Sequence, residues 1–230
     1  MTRILQPEWL DTLPVSDPEA ARSRADLQRV NAWLGHRRIL VRALQSAPTR
    51  DVRRIVELGA GDGTLALALA TKLSGRWPKV ELALVDQQRL VTPQTVAGFR
   101  RVGWEPRVVQ TDVLAWPAAA GEPADLIFAN LFLHHFEPSG LRRILHAAAA
   151  RTSCFVALEP RRNWAARAAC ELLWLIGCNR VTRHDARLSV CAGFRGHELS
   201  ALWPDARGWS LREQSAGLFS HLFVATRPPA

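Results

Sequence analysis

The chain has 230 residues, 48% of them hydrophobic, enough for one domain with a full core and too few for two independent domains. The formal net charge is +9, and because Lys72 and Lys79 are the only lysines, nearly all of the positive charge is arginine. No apolar run reaches the roughly 18 residues needed to span a bilayer, and Arg3 followed by Gln6, Pro7 and Glu8 gives no signal-peptide core, so a cytoplasmic protein is expected. Cys154, Cys170, Cys178 and Cys191 lie far apart without a C-x-x-C pair, which predicts reduced thiols and neither a metal site nor a disulfide framework. The charge raises nucleic acid, acidic lipid headgroups or an anionic substrate as partners. Apart from pairs such as Arg37-Arg38, Arg53-Arg54 and Arg161-Arg162 the arginines are scattered, so composition alone makes nucleic acid a secondary expectation.

Residues 1–13 are of mixed character, with Trp9 and Leu10 as anchors, and 14–18 reads as a loop. Asp17, Pro18 and Glu19 then form a helix start: a capping acid, proline in the first turn, and a second acid near the positive end of the dipole. Leu27, Val30, Leu34, Val41 and Leu44 fall near helical spacing, and Gly35 is a break within that helical region. Next comes I-V-E-L-G-A-G-D-G-T from Ile55 to Thr64, with an Ala- and Leu-rich run to Leu73. Ile55, Val56 and Leu58 suit a buried parallel strand, Gly59, Gly61 and Gly63 remove every Cβ where the backbone turns, and a helix follows. Such a unit presents a helix N-terminus and free N–H groups to a ligand above the turn. The glycines alternate as G-x-G-x-G behind an acid, Glu57, and so depart from the G-x-G-x-x-G dinucleotide fingerprint.

This E-x-G-x-G-x-G stretch resembles the first motif of the class I (Rossmann-like) S-adenosylmethionine (SAM)-dependent methyltransferases, and the resemblance covers Arg53 to the C-terminus. It implies a doubly wound, seven-stranded, mostly parallel α/β sheet, here carrying an N-terminal helical extension. Residues 1–50 would be that extension and a candidate lid, 51–230 the SAM-binding domain, and 161–200 a substrate-side insertion. Glu57, Gly59, Gly61 and Gly63 become cofactor-binding candidates. The second strand, Val80 to Val85, ends at Asp86, whose carboxylate can accept hydrogen bonds from both ribose hydroxyls of an adenosine, with Gln87 beside it. A helix over 91–101 and a short strand over 107–110 lead to Asp112, which resembles the family's adenine-contacting acid; the backbone N–H of Val113 would serve a ring nitrogen.

The fourth strand, D-L-I-F-A from Asp125, runs into N-L-F-L-H-H-F at Asn130 to Phe136, beside the first strand where strand order reverses. Asn130 would sit by the methionine part of the cofactor. His134 and His135 follow on the substrate side, and a histidine suits methyl transfer to oxygen because a hydroxyl is a poor nucleophile until its proton leaves. Related phosphobase enzymes place a base at the position of His134 and assist it with tyrosine. This chain has no tyrosine, so an acid would have to orient His134, or it acts alone. A helix over 141–150 precedes a fifth strand, Cys154 to Leu158, which ends in Glu159-Pro160-Arg161-Arg162, with Arg161 as a substrate contact. Residues 164–178 read as one apolar helix with Trp174 on a pocket wall, and 178–185 as a polar loop in which His184 and Asp185 offer a rival acid-base pair. Glu198 to Leu202 reads as helix, and 208–214 with 221–226 as a closing antiparallel hairpin.

The expected function is SAM-dependent methyl transfer to a small aromatic or apolar hydroxylated metabolite, with His134 as general base and S-adenosylhomocysteine (SAH) as the product. S-R-A-D-L-Q-R-V-N in the N-terminal region and V-T-R-H-D are similar to methyltransferases of bacterial aromatic polyketide or phenolic-lipid pathways. Alternatives are C-methylation of a quinone-like ring, methylation of RNA or protein, and a SAM-binding regulatory module without catalysis.

Overall fold

The computed structural model describes residues 1–14, 16–46, 51–116, 123–205 and 207–227. Helices α1 (Trp9–Thr12), α2 (Pro18–Trp33) and α3 (His36–Gln45) precede the first strand. Asp17 caps α2 by accepting from the backbone N–H groups of Glu19 and Ala20, and Gly35 breaks the helical run at φ 71°. The junction of extension and sheet domain, near residue 50, lies outside the described residues.

The alternation then begins: β1 (Arg54–Leu58), α4 (Thr64–Leu73), β2 (Val80–Asp86), α5 (Pro93–Arg101), β3 (Trp104–Gln110), β4 (Leu126–Asn130), α6 (Pro138–Ala149) and β5 (Cys154–Pro160). After β5 come α7 (Trp164–Cys170), α8 (Arg180–Ala192), β6 (Ser210–Ala216) and β7 (Ser220–Thr226). The sheet has seven strands in the order β3-β2-β1-β4-β5-β7-β6, parallel except for β7, which runs antiparallel to both β5 and β6. The doubly wound fold and the closing hairpin are those expected. β1 pairs with both β2 and β4, Leu58 lying opposite Val85 and Ala129, so strand order reverses there and a crevice opens at the carboxyl ends.

Every residue of β5 is buried, as a strand covered on both faces requires. On one face Leu40 and Leu44 of α3, Leu69 and Leu73 of α4 and Phe99 of α5 pack against β1 and β2. On the other, Leu141, Ile144 and Leu145 of α6 join Phe155, Phe223 and Trp203. Among the described residues no helix is long and apolar enough to cross a membrane.

Four boundaries differ from expectation. Residues 180–192 form a helix rather than a polar loop, because Asn179 caps it through Thr182 N and Val181, Thr182 and Asp185 share a buried side. The single helix over 164–178 breaks after Cys170 into a 3₁₀ turn, Leu173–Ile176, that ends at Gly177 with φ 74°. Residues 198–202 shorten to a 3₁₀ turn, Ser200–Leu202. β3 begins at Trp104, with Pro106 tolerated because the strand lies at the sheet edge.

Candidate active site

A cavity of about 1010 Å³ opens over the carboxyl ends of β1, β2 and β4. Its floor is the glycine turn, where Gly59, Gly61 and Gly63 all have positive φ. Gly59 is the tightest position: a Cβ there would stand 2.2 Å from the ring of Phe132. The Gly59 and Ala60 N–H groups donate to Val85 O, stitching the turn to β2, and Gly61 N donates to Asp86 Oδ2 at 2.8 Å. The other Asp86 oxygen accepts from Gln88 N. Asp86, Gln87, Asp112, Val113 and Asn130 all line the same cavity as Glu57 and the glycines Gly59 and Gly61. Gly63 sits one step back as the N-cap of α4, its Cβ position 3.3 Å from Thr95.

Two buried acceptors on this side have no hydrogen-bond partner, Glu57 Oε2 and Asn130 Oδ1. Burial, reinforced by the charges of Asp62 and Asp86, holds the Glu57 carboxyl well above its ordinary range. Orphaned buried acceptors are costly unless a ligand donor completes them. An ammonium-bearing ligand such as the methionine end of SAM fits that need, while the Asp86 oxygens retain lone pairs for ribose hydroxyls.

The opposite wall is built by the turn after β4. Leu131 adopts φ 51°, rare for a branched side chain, and throws Phe132 over Gly59. Glu159, fully buried at the end of β5, gathers the next turn: Oε1 accepts from Phe132 N and Leu133 N, and Oε2 lies 2.8 Å from His134 Nδ1. Glu159 is therefore the acid that fixes the His134 ring at Nδ1. The other ring nitrogen, Nε2, is buried without a hydrogen-bond partner and lies 3.6 Å from Glu8 Oε1. Burial disfavours the imidazolium, but Glu159 and Glu8 outweigh it and raise the His134 pKa to about 9. Burial likewise works against the Glu8 carboxylate, and its contacts with His134 and Ser189 bring it below its ordinary value.

The N-terminal segment closes this wall. Arg3 donates to the carbonyls of His134, Phe136 and Ala192, and Gln28 on α2 reaches Asp62 in the glycine turn at 2.6 Å. Leu27, Gln28 and Asn31 of α2, Leu34 just after it and His36 of α3 line the cavity. Buried His36 holds Ser220 Oγ at 3.0 Å through Nε2 and leaves Nδ1 unpartnered, and burial lowers its pKa to about 4.

Among the remaining candidates, His135 lines the cavity at its edge, 3.4 Å from Asp11. Asp185 is buried, but its oxygens already accept from Trp9 N and Leu10 N, tying α1 to α8. Three others are not brought to the cavity. His184 stacks on Trp9 with ring centroids 3.7 Å apart, and its Nδ1 lies 2.9 Å from Asp185 Oδ1, so the expected pair forms but only Asp185 lines the cavity. Arg161 bridges Phe194 and reaches Gly217 O, one step past the inward-facing end of β5. Trp174 follows the cavity-lining Leu173 and is 59% exposed. Sequence reading missed Glu8, His36 and Arg3, which carry no local motif and arrive from a segment far away in the chain. Against the expectation of no metal site, Glu8, His134 and His135 bring candidate ligand atoms within 4.8 Å of one another.

Sheet order, glycine turn and strand-end acids are together those of the class I SAM-dependent methyltransferase fold. Residues 55–153 match the family described as a methyltransferase domain, spanning β1 to the start of β5. The plantazolicin methyltransferase BamL, solved with a triazolic desmethylPZN analog and SAH, matches at TM-score 0.67 and 12% identity over 96% of this chain and 93% of its own. An O-methyltransferase family protein from Burkholderia thailandensis matches at TM-score 0.59 and 17% identity, covering 92% and 61%. Mitomycin 7-O-methyltransferase MmcR matches at 0.57 and 16%, covering 95% and 60%. The chain thus spans nearly all of the first and about three fifths of the other two. No curated protein matches the chain significantly.

Proposed function

We propose that this chain methylates a hydroxyl oxygen of a small, largely apolar metabolite, with His134 taking the acceptor's proton. The observation that carries the reading is His134 itself: buried, held at Nδ1 by Glu159, and with Nε2 unpartnered in the wall of the cavity. The cofactor would supply an electrophilic methyl group. The residues of this chain would then align the acceptor, exclude water and manage one proton. Glu57 and Asn130 would hold the ammonium end and Asp86 the ribose, while Leu27, Phe132, Phe136, Leu173 and Phe219 offer an apolar surface to the acceptor. A walled cavity of this size favours a small acceptor over RNA or a folded protein, and two of the similar structures are described as O-methyltransferases.

A histidine with a pKa of about 9 is mostly imidazolium at neutral pH and must lose a proton before it can act as a base. kcat/KM should therefore climb about tenfold per pH unit below about 9 and level off above it. Glu8→Gln removes one of the two carboxylates that raise this pKa, so the rising limb moves to lower pH. His134→Ala should keep SAH affinity by calorimetry and lose turnover by about two orders of magnitude or more. A flat pH profile with unchanged turnover in His134→Ala removes the base. A product carrying the methyl on ring carbon moves the reading to C-methylation.

A further inference from the structure

Among the described residues the six most exposed large apolar side chains are Trp164 (80%), Trp33 (67%), Leu218 (64%), Leu175 (60%), Trp174 (59%) and Leu172 (57%). They share one region. Four lie between residues 164 and 175, and Asn163 Nδ2 donates to Leu218 O, which sets Leu218 at the foot of α7. Arg29 of α2 reaches Ile176 O and Arg22 reaches Gly177 O, and Trp33 follows Arg29 by four residues on the same helix face. The inner side of this segment is already used: Ala166, Ala169, Cys170 and Leu173 line the main cavity. It is therefore apolar toward the cavity and toward solvent alike, an arrangement a freely dissolved surface does not favour.

The same region carries concentrated positive charge. Six arginines stand against two acids between residues 161 and 187; Arg162, paired with Glu198, and Asp185 are buried, which leaves five arginines and Glu171 toward the surface. Arg180, Arg183 and Arg187 lie on one face of α8, and with His184 and Trp174 they surround a second cavity of about 400 Å³. Arg180 pairs with Glu19 at 2.7 Å and Arg187 with Glu171 at 3.2 Å; Arg183 stands exposed between them.

We propose that this face docks on an anionic lipid surface, with Trp164, Leu172, Trp174 and Leu175 entering the interfacial layer and a headgroup phosphate held among Arg180, Arg183 and Arg187. Tryptophan and arginine carry apolar bodies with polar ends and settle at the boundary between acyl chains and headgroups. Guanidinium groups match phosphate oxygens in pairs, and each basic residue near an anionic surface strengthens binding about fivefold. Exposed leucines beside the arginines favour lipid over nucleic acid, whose phosphates would leave them in water. This inference does not depend on the acceptor or on His134, and it would place the cavity wall formed by α7 against the layer where an apolar acceptor partitions.

The test is co-sedimentation of the full chain with vesicles of phosphatidylcholine containing phosphatidylglycerol, against vesicles of phosphatidylcholine alone. Binding should be at least about tenfold stronger on the anionic vesicles and weaken with salt. Brominated lipid in those vesicles should quench tryptophan fluorescence. The double variant Trp174→Ser, Leu175→Ser should lower partitioning about tenfold and Arg183→Glu about fivefold or more, each with SAH affinity and melting temperature unchanged, since these side chains are exposed. Absence of binding overturns the proposal, as does equal binding to both vesicles with no response to Arg183→Glu. Stabilisation by inorganic phosphate without vesicle retention marks a soluble-anion site instead. A dimer that the double variant dissolves, without vesicle retention, marks a second copy of the chain as the occupant.

Discussion

Glu159 gathers four donors, the backbone N–H groups of Phe132, Leu133 and His134 and the ring of His134, and so converts the strained turn at Leu131 into a fixed wall of the cavity. Gly59 is its counterpart on the floor. Both Gly59 and Gly61 have a φ that disfavours a side chain, but Gly59→Ala also drives a methyl into the Phe132 ring, whereas the Cβ of Gly61→Ala meets nothing within 4 Å. Gly59→Ala should therefore lower both the melting temperature and SAH affinity far more than Gly61→Ala, as read by calorimetry; equal effects would mean that Phe132 yields. Ligand-like spacing at Glu8, His134 and His135 makes a second residue-scale check decisive. If His134 acts as a base, chelator treatment leaves turnover unchanged, and loss of activity restored by Zn²⁺ or Mn²⁺ would assign the cluster to a metal. In the sequence the pair His134-His135 was visible as chemistry, and the need for an acid partner followed from the lack of tyrosine. Which acid it is depended on the parallel pairing of β4 and β5, which brings position 159 to position 134.

At the scale of elements, α8 joins the N-terminal segment to the cavity wall that carries His134. Asp185 accepts from the first N–H groups of α1, Ser189 holds Glu8, and Ile4 N donates to Cys191 O. Asp185→Ala leaves those N–H groups without their buried acceptor and should cost about 1–3 kcal/mol of stability. If α1 is tied down mainly here, limited proteolysis will cut near residues 8–14 sooner in this variant, and the pH profile will shift as though Glu8 had been removed. An unchanged digestion pattern would place the anchoring elsewhere, at Arg3 and its three carbonyls. The helix was hidden in the sequence because V-T-R-H-D looks polar when read alone. Its inward positions, Val181, Thr182 and Asp185, acquire meaning only once α1, α2 and β5 are present to cover them.

For the whole molecule, two buried histidines pull stability in opposite directions with pH. His134 is raised to about 9, so its contribution is fully present below its unfolded value of 6.5 and is lost as pH rises through about 9. His36 is lowered to about 4 by burial, so the folded state resists its protonation, and stability falls as pH drops from 6.5 toward 4. Urea unfolding across this range should give a maximum between those limbs. His36→Gln should flatten the acid limb, and His134→Gln the alkaline one; limbs unaltered by either substitution would assign the pH dependence to other groups.

By itself the sequence determined the sheet, its winding and the glycine floor of the cavity, because these rest on local signals: alternation of strand and helix, glycines where the backbone must turn, and acids at the strand ends. Glu57, Asp86, Asp112 and Asn130 could be read from position along the chain, since in a parallel sheet the end of a strand is the edge of the site. Tertiary structure alone decided the wall opposite the glycine turn. Glu8 meets His134, and Gln28 meets Asp62, across long sequence separations that no periodicity encodes. His184, Arg161 and Trp174 had suitable chemistry in the sequence, and the direction of a helix face or a strand pleat turned them away from the cavity. Local propensity sets where the elements begin and end, but packing sets which way each side chain faces, and acceptor chemistry depends on the second.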